Sequence, residues 1–388
     1  MGNSNSPSKP GEEQGDEEMI SVLFLIPTLD RGGAENVLVD LVNHMDQTKF
    51  QITVQTLFDE NSQKDRLRER IEYKSFLYHQ FHGNSRLMAR IPARLLYKLI
   101  VRKRYDVVVS YLEGPTTHII SGCPYKDSKR VAWVHVEMNT GRQLSVGFRS
   151  MEEAKKAYHS FDKLVFVAGT VQDSFMKVVG ERFSNACVLY NTIDSNTILK
   201  KASMPFDNPY SQGEFNIVSV GRIIPAKGYD RLIRVQKRLI TEGYKTHVYI
   251  LGTGADQEKL EKYTAENGIS DSFTFLGFRD NPYPIVAGAD LFVCSSRREG
   301  FSTAVTEALI MGVPVVSTEC SGARELLGEN NEYGVVTENN VKALYDGIRK
   351  ILDTERSLEQ YRKAAKERGR DFETVKTVEA LEEMLLNL

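Results

Sequence analysis

The sequence predicts an α/β protein built from two doubly wound parallel-sheet domains, and three observations carry that expectation. Short apolar runs of strand length alternate with amphipathic stretches of helix length along the whole chain, as in parallel sheets covered by helices. The 388 residues suffice for two domains at roughly 100 to 200 residues each. Both periodicities fail together over residues 201–213, where Pro205, Asn208, Pro209, Ser211 and Gly213 gather. The expected domains therefore span residues 19–205 and 206–371.

In the first half, strands are expected at 22–26, 52–57, 107–110, 131–134, 164–167 and 187–190. The first is followed by a helical pattern of Val37, Leu38, Leu41, Val42 and Met45. In the second half the strand runs are 216–220, 247–251, 273–276, 291–294 and 315–317. Helices are expected to open at Tyr229 or Asp230 and around Ser302 and Thr303, and a last helical stretch covers 372–386. Residues 1–18, with Lys9 against Glu12, Glu13, Asp16, Glu17 and Glu18 and no apolar run, read as a disordered tail.

Composition narrows the function classes. Apolar residues make up 41% and charged residues 26%, which excludes collagen-like, coiled-coil and wholly disordered chains. The longest stretch free of charged side chains, 114–125, is rich in Thr, Ser and His, so no segment suits a spanning helix of about 20 apolar residues. Cys123, Cys187, Cys294 and Cys320 lie far apart without a Cys-x-x-Cys pair, which argues against a zinc cluster or disulfide framework and for a reducing cytoplasm. Residues 19–205 hold 26 basic against 19 acidic residues, whereas 206–388 hold 23 against 28. A basic first half points to an anionic neighbour.

In folds of this class ligands bind at the carboxyl ends of strands, so the loops there carry the chemistry. After the first strand, Gly32 and Gly33 stand at a strand-to-helix turn, where free helical N–H groups can meet an anion. A tight turn demands the same glycines. After 216–220 comes Gly221-Arg222-Ile223-Ile224-Pro225-Ala226-Lys227-Gly228, whose Arg222 and Lys227 supply two cations where a leaving diphosphate gathers charge. The segment from Glu299 through Gly300, Phe301, Ser302 and Thr303 to Glu307 places one carboxylate ahead of a helix and one on it. Carboxylates accept hydrogen bonds from sugar hydroxyls, and the helix N-terminus donates to phosphate. Gly252-Thr253-Gly254 evokes a dinucleotide fingerprint, but Gln257 stands where its third glycine belongs, so it reads as a strand-to-helix turn.

Together these motifs resemble the family 4 retaining glycosyltransferases of the bacterial polysaccharide and lipid-linked glycan type. The resemblance covers Met19 to Leu388 and is densest from Val218 to Leu327. It implies a GT-B fold, two Rossmann-like domains facing across a cleft, with residues 372–388 crossing back onto the first. It also implies donor-sugar contacts from Glu299 with Gly300, Phe301 and Ser302, and ribose contacts from Glu307. Arg222 and Lys227 would hold the diphosphate, Gly33 would face it, and His135 would stand near the reacting sugar. On this resemblance Arg222, Lys227, His135 and Glu299 form the catalytic set. They transfer a hexosyl or N-acetylhexosaminyl group from a nucleotide-diphosphate sugar, UDP favoured, with retention of configuration. No cofactor is implied. No metal is expected either, since no Asp-x-Asp occurs and the two cations replace it.

The segment 86–105 bears Arg86, Arg90, Arg94, Lys98 and Arg102 at four-residue spacing, with no acid, beside Leu87, Met88, Ile91, Leu95, Leu99 and Ile100. On one helix these cations form a slowly spiralling stripe suited to an anionic membrane and a lipid-linked glycan acceptor. Pro92 within it marks a kink or a helix start. The expected location is the cytoplasmic face of the cell membrane, without nucleic-acid binding. Alternatives are a transferase for a soluble acceptor, a nucleotide-sugar epimerase, an NAD-type dehydrogenase disfavoured by Gln257, and a non-catalytic subunit disfavoured by the intact set of charged residues.

Overall fold

The computed structural model describes residues 19–30, 32–60, 62–81, 83–298, 301–320 and 322–388. The expected tail, 1–18, and the expected site residues Glu299 and Gly300 lie outside the described residues. The first sheet contains β1 (Ile20–Ile26), β2 (Phe50–Phe58), β3 (Glu72–Leu77), β4 (Val107–Ser110), β5 (Lys129–Val134), β6 (Lys163–Phe166) and β7 (Ala186–Val188). The second contains β8 (Phe215–Val220), β9 (Thr246–Leu251), β10 (Phe273–Gly277), β11 (Leu291–Cys294), β12 (Val315–Thr318) and β13 (Val335–Thr337). All pairs are parallel, in the orders β3-β2-β1-β4-β5-β6-β7 and β10-β9-β8-β11-β12-β13. Each sheet is doubly wound about its first strand, as the sequence predicts.

The central strands are mostly apolar because helices cover both faces. Val22 through Ile26, for example, are fully buried. Each of the eleven expected runs becomes a strand, and two strands have no apolar run to announce them. β3 is an edge strand with charged Glu72 and Lys74 and an exposed Leu77, and an edge tolerates polarity that a central strand does not. β13 is only three residues long and exists through its pairing with β12. β7 ends at Val188 rather than at 190 because Tyr190 leaves the sheet to stack on Phe301 of the second half, centroids 5.3 Å apart.

The two halves share packing. The helix Thr374–Leu386 lies against the helix Gly33–His44, with Glu382 Oε1 accepting from the Asp46 amide at 2.6 Å. Thr374 and Ser195 exchange hydrogen bonds at 3.0 and 3.2 Å. Among the described residues no helix is long and apolar enough to cross a membrane.

The basic segment 86–105 breaks at Pro92, the expected kink or helix start, so its cations do not all lie on one helix. Pro92 cannot donate a backbone hydrogen bond and restricts the residue before it. The chain therefore makes two short helices, Asn84–Arg90 and Ala93–Ile100, around an extended Ile91. Arg102 falls outside both, at φ +65°, with its Nε donating to Leu99 O at 2.7 Å. Met88 and Ile100 turn inward, while Leu87, Leu95 and Leu99 remain about half exposed beside exposed Arg86, Arg90, Arg94 and Lys98.

Candidate active site

In the second half, β8 runs into the loop that carries Arg222 and Lys227 before the helix Tyr229–Thr241 begins. Gly221 leaves room for that loop to fold back, since a Cβ there would stand 3.1 Å from Tyr229 Oη and 3.2 Å from Lys227 Cε. Gly252 and Gly254 are needed for close approach of a neighbouring turn. Their added Cβ atoms would lie 2.1 Å from Gly221 O and 2.2 Å from Ile223 O. The two glycines thus serve backbone packing, as expected of a strand-to-helix turn.

Arg222 is exposed and lines a cavity of about 270 Å³ with Gly252, Thr253, Phe278 and Arg279. Lys227 turns to the other side, where it shares a small recess with Tyr229, Ser295 and Ser302. Ser302 caps the helix Thr303–Ile310, its Oγ accepting from the Val305 amide at 3.5 Å. The remaining first-turn N–H groups of that helix have no intrahelical acceptor and favour an anion. Lys227 and Ser302 therefore share one recess at the carboxyl ends of β8 and β11, Arg222 lines the cavity on the other side of Val220, and Phe301 is buried nearby.

Glu307 sits one turn along the same helix and is partly buried. Tyr283 Oη donates to its Oε1 at 3.5 Å. Burial pushes its pKa up to about 7, and the negative charge of Asp40, on the helix Gly33–His44, adds to the rise against the Tyr283 hydrogen bond. Glu307 thus feels a carboxylate from the other half of the molecule. Neither Asp40 nor Tyr283 stands out in the sequence, because one lies mid-helix among ordinary polar positions and the other between two prolines.

On the first sheet, His135 follows β5 and packs against Tyr111 and Trp133, ring centroids 4.7 and 6.0 Å away. Its backbone amide donates to Glu113 Oε2 at 3.0 Å. Burial lowers the imidazole pKa to about 3, opposed by a backbone hydrogen bond at Tyr111, so the ring is neutral near neutral pH. Its Nε2 is buried without a hydrogen-bond partner among the described residues. Burial also raises the pKa of Glu113. Glu113 lies just before Gly114 in the loop after β4, so an acid in a glycine-bounded loop at a strand's carboxyl end is the signal that could have found it.

Gly33 opens its helix, and no atom lies within 4 Å of where its Cβ would stand. The turn already holds a carboxylate, however. Glu35 folds back so that a Cβ on Gly32 would be 2.1 Å from its Oε2, and burial raises its pKa. The basic residues Arg86, Arg90, Arg94, Lys98 and Arg102 lie on and beyond the helices flanking Pro92.

Comparison with known proteins adds a lineage. Residues 31–197 match the model "Glycosyltransferase Family 4", and residues 200–368 match "Glycosyl transferases group 1". A Campylobacter jejuni N-acetylgalactosamine-N,N'-diacetylbacillosaminyl-diphospho-undecaprenol 4-alpha-N-acetylgalactosaminyltransferase is 34% identical over 191 residues, 49% of this chain and 50% of that protein. The lipopolysaccharide core biosynthesis glycosyltransferase LpsE of Rhizobium meliloti is 32% identical over 34% of this chain and 36% of its own. The chain thus spans half or less of the length of these relatives. The crystal structure of Anabaena Alr3699/HepE with UDP superposes at a TM-score of 0.75 and 20% identity, covering 95% of this chain and all of that one.

Proposed function

The chain belongs to the family 4 glycosyltransferases, with two parallel-sheet domains of the GT-B kind, and from that premise we propose that it transfers a sugar from a UDP-sugar to a lipid-linked glycan with retention of configuration. The observation that supports this reading is Lys227 beside the Ser302-capped helix N-terminus, with Arg222 lining the adjoining cavity, at the strands' carboxyl ends. Two cations and free amides are what a departing diphosphate requires. The cavity between Arg222 and Phe278 offers an aromatic face and backbone polar groups to a planar base. Glu307 then accepts from the ribose hydroxyls, and Glu299 from the donor sugar.

In this scheme the acceptor hydroxyl oxygen bonds to the anomeric carbon as the bond from that carbon to the diphosphate oxygen breaks. The acceptor's proton passes to the departing diphosphate, on the same face of the sugar. His135, neutral and with Nε2 unpartnered among the described residues, orients the donor sugar from the first domain. Arg222 and Lys227 neutralise the charge that a divalent ion would otherwise hold. The lipid-linked acceptor fits the names of the relatives from C. jejuni and R. meliloti. It also fits the exposed Leu87, Leu95 and Leu99 set among cations, which suits association with the inner face of a cell membrane.

Calorimetry with UDP tests the donor site. Arg222→Ala and Lys227→Ala each lose a charge-assisted contact, about 1.5 to 3 kcal/mol, so affinity falls about tenfold or more. Unchanged affinity in both variants overturns the site. Transfer is expected to persist in excess chelator, and NMR of the product is expected to show the donor's anomeric configuration kept. Loss of transfer restored by manganese, or an inverted linkage, overturns the corresponding part.

A further inference from the structure

The loop that carries Lys227 and the loop that leads to Phe301 are separate in sequence by some 70 residues, yet they touch along their backbones. Gly228, at φ +69°, is so close to Ser295 that an added Cβ would stand 2.2 Å from Ser295 O. Ser295 Oγ donates to Lys227 O at 2.9 Å, and the Arg297 amide donates to Ala226 O at 2.7 Å.

A bidentate ion pair crosses this seam. The Arg297 guanidinium grips Asp230, in the first turn of the helix Tyr229–Thr241, through Nη1 to Oδ1 and Nη2 to Oδ2, both at 2.7 Å. Nη1 also donates to Pro225 O at 2.9 Å. The planar fork thus meets a carboxylate bidentately and holds the turn Pro225–Lys227 from both ends. From the other side, Asn339 Nδ2 donates to the carbonyls of Ser296 at 3.4 Å and Arg297 at 3.3 Å, and Thr318 Oγ1 to Ser296 O at 2.6 Å.

We infer that Arg297 and Asp230 are positioning residues. Their bidentate pair keeps Lys227 in register with the Ser302-capped helix so that the two reach one diphosphate together. This rests on the donor-site reading above. Neither side chain needs to touch the nucleotide sugar. The chemistry calls for such a device, because two anion-binding elements act on one diphosphate only when their spacing is held, and a shift of about 1 Å can cost up to a hundredfold.

The test is UDP binding by calorimetry, with thermal melts on the same samples. Arg297→Ala and Asp230→Ala are each expected to weaken UDP binding about tenfold with the melting midpoint largely kept. The double variant is expected to be no worse than either single one, because the two act as a unit. Arg297→Lys keeps the charge but not the fork, so it recovers only part of the affinity. If the Ala variants melt early, Arg297→Lys alone decides, and wild-type affinity in it overturns the clamp. Wild-type UDP affinity in the Ala variants while Arg222→Ala and Lys227→Ala lose it overturns the clamp and spares the donor site. Wild-type affinity in all four overturns the donor site itself. Additive losses in the double variant also overturn the clamp.

Discussion

Glu307 keeps its proton up to about pH 7 because burial disfavours the carboxylate more than the Tyr283 hydroxyl stabilises it, and Asp40 adds a like charge. A carboxyl whose pKa rises on folding favours the folded state at acid pH. That contribution is complete below about 4.5 and is lost as pH climbs through about 7. Above neutrality the ionised side chain therefore costs up to about 3 kcal/mol. Glu307→Gln is expected to raise the melting midpoint at pH 8 and leave it nearly unchanged at pH 4. The same carboxylate is the proposed ribose acceptor, so wild-type UDP affinity should fall on acidification from pH 8 to 6 more steeply than that of Glu307→Gln. Thermal melts and calorimetry across this range decide. A Gln variant that melts lower than wild type at pH 8 would contradict the account.

The turn bearing Gly252 and Gly254 shows what an element's contact demands of its residues. With Ile223 O only 2.2 Å from the position of a Gly254 Cβ, and backbone the obstacle, Gly254→Ala must push the turn away from the loop of Arg222. It is expected to destabilise by about 1 to 3 kcal/mol and to weaken UDP binding, read by denaturant melts and calorimetry. A fully stable Gly254→Ala protein with normal affinity would show that the two loops move independently. The helices Asn84–Arg90 and Ala93–Ile100 make a different prediction. Each exposed cation near an anionic leaflet contributes about 1 kcal/mol, so Arg90→Glu, Arg94→Glu and Lys98→Glu together should lower binding to phosphatidylserine vesicles by at least about a hundredfold. All three are exposed, so the fold and UDP affinity should be kept. Undiminished sedimentation would leave these cations as a solvated face, with the half-exposed Leu87, Leu95 and Leu99 unexplained.

Across the two domains, Glu325 reaches from the helix Ala323–Leu327 to the amide of Gly169, its two oxygens at 2.9 and 2.7 Å. Gly169 begins the helix Gly169–Val179, whose own cap residue, Ala168, makes no side-chain bond. A second-domain carboxylate thus caps a first-domain helix, favoured by the helix dipole. Beside it, Tyr190 stacks on Phe301 and meets Phe372, on which the Arg368 guanidinium lies 4.9 Å from the ring centroid. These contacts join the halves beside Phe301, next to the helix proposed to hold the donor. Glu325→Ala is expected to widen the particle in X-ray scattering and to lower turnover about five- to thirtyfold, the equivalent of a lost cap of about 1 to 2 kcal/mol, while UDP affinity stays close to wild type. Unchanged scattering and turnover would show that the packing of the two halves rests on other contacts.

Much of this architecture was written locally. The apolar runs announced eleven of the thirteen strands among the described residues, since a strand buried on both faces is mostly apolar wherever its neighbours lie. Arg222, Lys227 and the Ser302 cap were legible because strand ends, glycines and caps are short-range signals. β3 and β13 were not, one being a polar edge and the other three residues held by their partner. Pro92 warned of a break in the basic segment, but which leucines face outward was settled by packing, as where Gly122 admits Ala93 so closely that an added Cβ would lie 2.1 Å from its carbonyl carbon. The pairings Arg297 with Asp230, Glu307 with Tyr283 and Asp40, and Glu325 with Gly169 join residues far apart in the chain. No local pattern encodes them. They exist only once the order of strands in each sheet and the return of the last helix have brought distant loops to one edge.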